Sequence, residues 1–239
     1  MQRYVSSSLT KPEVSLDDVH HILRVMRQRK GDFFEVLFDE KIYKMEIKSI
    51  DPFIYEVVDI DSTNNEIEND ITLFYCLSKG DKNDFVIQKA TELGVKQIVL
   101  LNSKRSVLRL DNESFNKKRV RYERIIKEAS EQSKRNIVPS IDGIYDIDKI
   151  PTSLLKDINL VAYENEKGDT KDTLKVLEGI NDRSVSVLIG SEGGIAKEEM
   201  DFLLKQNFIP ISLGKRILRT ETAAVYALSV IAFILESKK

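Results

Sequence analysis

The sequence predicts an α/β protein: a domain with a mostly parallel sheet, preceded by a small β-rich barrel. Three observations lead there. A predominantly apolar run at residues 71–77 reads as a strand buried on both faces. Behind it, strand-like and helix-like segments alternate to the C-terminus, the grammar of parallel strands joined by crossover helices. Ahead of it lie three short β-like runs separated by turn signals.

In chain order, residues 16–29 carry a helical pattern, and 33–38, 43–50 and 54–60 read as strands. Lys30-Gly31-Asp32 and Asp51-Pro52 supply the turns between them. The polar stretch from Asp61 to Glu66, running on to Asp70, reads as a linker, which divides the chain into domains 1–70 and 71–239. After the strand at 71–77, a helix at 84–93 is closed by Gly94, and 95–101 is the next strand. A long helix at 115–135 follows, with Tyr122, Ile125, Ile126 and Ala129 at helical spacing as its core stripe. Strands at 160–163 and 185–189, a helix at 197–206, a strand at 208–213 and a helix at 220–235 complete the pattern, with Thr220 as the expected N-cap of the last. That last helix is apolar almost all round. It therefore threads the core or also packs on a second copy of the chain, and dimerisation is the favoured reading. In such a fold a ligand sits at the carboxyl ends of the strands.

The chain has 239 residues, 41% hydrophobic and 32% charged, the profile of a folded globular protein. Its single cysteine, Cys76, excludes an internal disulfide, and two histidines leave little for zinc, so no metal is expected. The start has no signal-peptide pattern, and the longest apolar stretch falls short of the roughly 20 residues of a membrane span, so a soluble, cytoplasmic protein is expected. The net charge is only −2, but it is unevenly spread: residues 71–139 carry 15 basic and 8 acidic side chains, while the segments on either side are acidic. A polyanion responds to cations within about 10 Å rather than to the whole-chain sum, so this middle segment is either a phosphate-binding surface or a solvated helix face.

Four segments can carry chemistry. Gly190-Ser191-Glu192-Gly193-Gly194 joins a strand to a helix, and its glycines permit positive φ and a close backbone approach to a ligand. It lacks both the Gly-Lys-Ser/Thr ending of a phosphate loop and the dinucleotide fingerprint. Glu192 suits a cationic or hydroxylated ligand; the same loop is also a plain βα turn with an anionic cap. The segment from Ser212 to Thr222 sets Arg216 and Arg219 around the apolar pair Ile217 and Leu218, offering cations beside a slot for a flat heterocycle, unless both arginines merely pair with surface acids. Lys79-Gly80-Asp81-Lys82 follows a strand end. Finally, His20, Arg24 and Arg27, spaced i, i+4 and i+7 opposite Leu16, Val19 and Met26, join the cationic helix 115–135 as candidate phosphate contacts.

Taken in order, His20-His-Ile-Leu-Arg-Val-Met-Arg27 with Gly31-Asp32, Lys79-Gly-Asp, Gln88-Lys-Ala-Thr-Glu-Leu-Gly94, Arg105-Ser-Val107, Glu128-Ala-Ser-Glu-Gln-Ser133 with Arg135 and Pro139, Gly190-Ser-Glu-Gly-Gly194 and Leu213-Gly-Lys-Arg-Ile-Leu-Arg-Thr-Glu-Thr-Ala223 span nearly the whole chain. Together they resemble the bacterial methyltransferases that modify N3 of a uridine in small-subunit ribosomal RNA, members of the SPOUT superfamily. Ser191 stands where that family usually has proline, Tyr122 where it has tryptophan, and Met26 where leucine is common.

The resemblance implies an N-terminal PUA-like RNA-binding barrel, a C-terminal domain tied in a trefoil knot, and a homodimer formed through that domain. It implies S-adenosylmethionine as methyl donor, with cofactor contacts from Tyr163, Glu164, Gly190, Ser191, Glu192, Gly193, Gly194, Leu213, Gly214, Ile217, Leu218 and Thr222. Arg219, then Arg216, are expected to stabilise the uracil oxygens, with Glu221 or Glu192 orienting the base or accepting its proton. RNA contacts are expected from Arg3, Arg24, Arg27, Lys79, Lys82, Lys89, Arg105 and Arg135, with ribosomal RNA or the small ribosomal subunit as partner and no membrane. The alternatives within the same scaffold are methylation of a ribose 2′-oxygen or another base, or a non-catalytic ribosome-assembly factor.

Overall fold

The computed structural model describes residues 1–163 and 170–237. It divides into two compact units, the first made of Met1–Glu66 with Lys127–Val138, the second of Ile67–Ile126 and the described residues from Pro139 onward.

In the first unit, β1 (Arg3–Val5), β2 (Phe33–Phe38), β3 (Lys41–Ile50) and β4 (Phe53–Asp61) form one sheet in that spatial order. β1 pairs parallel with β2, and the remaining pairs are antiparallel. The period-2 pattern of β2 and β3 drives Phe34, Val36, Met45 and Ile47 to one side, where they bury with Tyr4, Val14 and Ile22. Ser15 starts α1 (Leu16–His20) through a capping box with Asp18. The helix expected over 16–29 is shorter than its pattern. A π turn, His21–Val25, follows α1, and Arg27 then takes φ +54°. The face drawn for it also fails, because Leu16 is 88% exposed while Asp18 and Ile22 are buried. His20, Arg24 and Arg27 therefore do not share one helical stripe.

In the second unit the elements run β5 (Ile71–Cys76), α2 (Lys82–Glu92), β6 (Gln97–Asn102), α3 (Asn112–Gln132, its residues 127–132 grouping with the first unit), β7 (Ser140–Asp146), β8 (Ile158–Ala162), α4 (Thr170–Glu178), β9 (Val185–Ile189), α5 (Lys197–Lys205), β10 (Phe208–Ile211) and α6 (Thr220–Glu236). The six strands pair in the order β10-β8-β9-β5-β6-β7, every pair parallel. Every residue of β5 is buried, as a strand covered on both faces requires. Its alternate residues Ile71, Leu73 and Tyr75 join the core made with α2, α3, α4 and α6, while Phe74 and Cys76 join a smaller one closed by Met200 and Leu203 of α5. Thr220 does not cap α6: the N-cap is Arg219, and the Thr220 hydroxyl is buried in contacts described below.

Candidate functional site

Because all six strands run the same way, the loops after β8, β9 and β10, three neighbours in the sheet, emerge on one side. They enclose a cleft lined by residues of all three loops and by the start of the last helix. Tyr163 enters from the end of β8, Gly190 and Ser191 from the end of β9, and Leu213, Gly214, Arg216, Ile217 and Leu218 from the segment after β10. The structure thus brings together the two turns that the sequence singled out. Ala162, Ile189, Ile195, Ser212, Lys215, Thr220 and Ala223 also line the cleft; none was named as a donor contact, although Ser212, Lys215 and Thr220 belong to the segment 212–222 that the sequence singled out. Ala162 and Ile189 end their strands, so the carboxyl-end rule could have found them; Thr220 and Ala223 became visible only once the first turn of α6 was seen to face the cleft. Glu192, Gly193, Gly194, Arg219, Glu221 and Thr222 lie outside its lining, and Glu164 lies outside the described residues.

The glycine loop closes on itself. The Gly194 amide donates to Ser191 O at 2.9 Å, and Gly194 takes φ +73°, a conformation that favours glycine. Gly193 is glycine for a different reason from the one the sequence suggested. A Cβ there would stand 2.9 Å from both Cβ and the carbonyl oxygen of Arg105, so the close approach is to the loop after β6 rather than to a ligand. Arg105 Nη1 also donates to Gly193 O at 3.2 Å.

Beside the cleft, Lys82 Nζ lies 3.0 Å from Glu192 Oε1 and 3.6 Å from Glu221 Oε2, tying together the starts of α2 and α6 and the glycine loop. Partial burial pushes the Glu192 carboxyl up, but backbone amides and the Lys82 ammonium outweigh it and hold the group below the usual carboxylate range. Behind Glu221 runs a buried hydroxyl chain. Tyr75 Oη and Ser78 Oγ are 3.0 Å apart, Ser78 Oγ and Thr220 Oγ1 3.1 Å, and Thr220 Oγ1 donates to Glu221 Oε2 at 3.2 Å. Asn83 grips both the amide and the carbonyl of Ser78, at 2.9 and 2.7 Å, and so pins the end of β5.

Comparison with known proteins places the chain in a family. Residues 65–232 match the model of an RNA methyltransferase domain, and residues 16–59 that of an RNA methyltransferase PUA domain. The chain belongs to the RNA methyltransferase family. It is similar to ribosomal RNA small subunit methyltransferase E of Bacillus subtilis (strain 168), 34% identical with 98% of this chain and 96% of the relative covered. Its likeness to the protein of that name from Buchnera aphidicola subsp. Schizaphis graminum is 34% identity over 89% of this chain and 86% of the relative. A crystal structure of ribosomal RNA small subunit methyltransferase E from Neisseria gonorrhoeae, bound to S-adenosylmethionine, superposes with a TM-score of 0.83 at 27% identity and 98% coverage of both chains. The α/β fold with its PUA-like N-terminal part is that of these methyltransferases.

For a member of the RNA methyltransferase family the placement of cations matters, and here two expectations need correction. Arg3 is buried, with Nε 2.9 Å from Glu35 Oε2 and Nη1 donating to the carbonyls of Lys134 and Arg135. Arg135 is buried too, forked onto Glu66 at 2.6 and 3.0 Å. Both hold the first unit together and have no face to offer RNA. Lys82 and Lys89 are engaged by carboxylates, the latter by Glu92 at 2.8 Å, whereas Arg24, Arg27, Lys79 and Arg105 are exposed. Among the described residues no group of three His, Cys, Asp or Glu side chains could hold a metal ion, and no helix is long and apolar enough to cross a membrane.

Proposed function

We propose that this protein transfers a methyl group from S-adenosylmethionine to ribosomal RNA of the small subunit in the cytoplasm, and that the acceptor atom is N3 of a uridine. The observation that carries this reading is the cleft built by the ends of β8, β9 and β10, whose lining suits the donor. Ile189, Leu213, Ile217, Leu218 and Ala223 offer apolar surface to a flat base, and the Ser191 and Ser212 hydroxyls and loop backbone offer hydrogen bonds. Glu192 and Glu221, adjoining that lining, suit a cationic centre. When bound, the donor supplies an electrophilic methyl carbon on a sulfonium.

The remaining chemistry falls to the chain. Uridine N3 must lose its proton, and charge then spreads onto O2 and O4. Arg216, which lines the cleft, and Arg219, exposed at the start of α6, are the cations proposed for those oxygens, where stabilisation that grows toward the transition state lowers the barrier. Glu221, anchored by Thr220 and Lys82, is proposed to orient the base or take its proton, with Glu192, whose carboxyl is held below the usual range, as the alternative. RNA contacts are proposed for Arg24, Arg27, Lys79 and Arg105. A homodimer is proposed through the apolar groove formed by Phe85, Leu174, Val225, Tyr226 and Phe233, since Phe233 is 72% exposed in the single chain.

The test is to incubate the protein with isotopically labelled donor and small-subunit ribosomal RNA, digest the RNA to nucleosides and identify the labelled product by mass spectrometry. Labelled 3-methyluridine is the expected product. Label on a ribose or another base would overturn the N3 assignment, and RNA left without label would overturn the enzymatic reading.

A further inference from the structure

Glu199 is 2% exposed, a carboxylate buried near the start of α5, and a group so placed needs its acceptors filled. Three donors fill them. The Ala196 amide gives 2.9 Å to Oε2, the bond that closes the first turn of α5. The other two come from the loop after β6: Ser103 Oγ at 3.1 Å to Oε2 and the Lys104 amide at 2.7 Å to Oε1. Ser103 Oγ in turn accepts from the Arg105 amide at 3.2 Å. One carboxylate thus ties the loop carrying Arg105 to the helix that follows the glycine loop. The guanidinium of Arg105 is exposed and lies over Gly193 O.

We infer that Glu199 is a positioning residue: through Ser103 and the Lys104 amide it fixes the backbone from which Arg105 reaches the RNA. The inference rests on the reading of the protein as an RNA methyltransferase. Glu199 is absent from the cleft lining, and the wall formed by Gly190 and Ser191 is held separately by the Ser191–Gly194 turn. Its influence therefore falls on the RNA and leaves the donor largely untouched.

Glu199→Gln separates the two duties of the side chain. Glutamine serves as well as glutamate in closing a helix start, so α5 is kept. Its single acceptor oxygen cannot serve both the Ala196 and Lys104 amides, and its NH2 group would face an N–H donor. The experiment measures KM for small-subunit ribosomal RNA, KM for the donor and the thermal midpoint in Glu199→Gln, Arg105→Ala and the double variant. Each single variant is expected to raise the RNA KM by about tenfold, the change that ~1.4 kcal/mol produces, with the donor KM within about twofold of the parent. If Glu199 acts through Arg105, the double variant is no worse than either single one.

Two independent effects that multiply in the double variant would overturn the inference, as would an unchanged RNA KM in Glu199→Gln or a donor KM that rises as much as the RNA KM. Should Glu199→Gln fail to fold, Ser103→Ala, which removes one donor and leaves the charge in place, is put through the same cycle with the same criteria. A parent protein that transfers no methyl group at all would instead sink the functional reading itself.

Discussion

Arg135→Ala separates a structural role from an RNA contact. The Arg135 and Glu66 side chains are 5% and 2% exposed, and the guanidinium meets the carboxylate at 2.6 and 3.0 Å. Removing the cation leaves a buried carboxylate that still accepts from the Asn136 and Ile137 amides, at 2.7 and 3.0 Å. Breaking a buried pair from one side costs about 3–5 kcal/mol, and the two surviving amide bonds favour the lower end. At roughly 2–4 °C per kcal/mol for a chain of this length, the thermal midpoint should fall by about 6–12 °C. Acid supplies a second signature. Burial raises the Glu66 carboxyl, but Arg135 and the backbone amides outweigh it and leave it below its ordinary value of 4.5. Its contribution to stability is therefore complete above pH 4.5 and is lost as pH falls through the lower folded value, a loss that flattens in Arg135→Ala. Calorimetric scans across pH would measure both effects. A midpoint shift below about 2 °C, together with weakened RNA binding and a shallower salt dependence, would refute the structural role.

Three further outcomes follow from the same geometry. Arg219→Ala should lower kcat by about 10²–10³ while donor affinity stays within about twofold, since Arg219 is outside the cleft lining; a normal kcat removes it from the chemistry. Gly193→Val forces a side chain against the Arg105 backbone and should cost about 1–3 kcal/mol with a higher RNA KM, so loss of donor binding in titration calorimetry with RNA KM intact would contradict the placement. Phe233→Glu, at the most exposed aromatic of the α6 groove, should give a monomer in sedimentation equilibrium, and an unaltered dimer mass would locate the interface elsewhere.

Much of the second unit was legible because most strands there are short, largely apolar runs bounded by a turn, and burial on both faces leaves that mark in the sequence. The elements that escaped leave no such mark. β1 has three residues, and β7 carries Asp142 and Gly143. Residues 16–29 misled for the opposite reason: an unbroken helical pattern says nothing of a π turn or of a left-handed residue at Arg27. In the site, both turns were legible through glycine spacing. Their partners were not, because Gly193 meets Arg105 and Lys82 meets Glu192 across 88 and 110 residues of chain.

Charge shows the same limit from another side. The basic excess of residues 71–139 reads as a phosphate-binding surface or a solvated helix face, and three of its cations are drawn into the first unit by acids that a segmental count assigns elsewhere. Lys127 meets Asp18 at 2.7 Å, Lys134 meets Glu35 at 3.0 Å, and Arg135 meets Glu66. These three pairs neutralise part of the basic excess within the first unit, whereas Lys117, Lys118, Arg119 and Arg124 stay exposed on α3. With a net charge of −2, the protein has little long-range pull on RNA beyond a Debye length of about 10 Å. On the proposed reading, short-range contacts then carry RNA recognition, and each gains from being held rigidly. The inferred role of Glu199, a buried carboxylate fixing the loop beneath an exposed Arg105, is one such restraint.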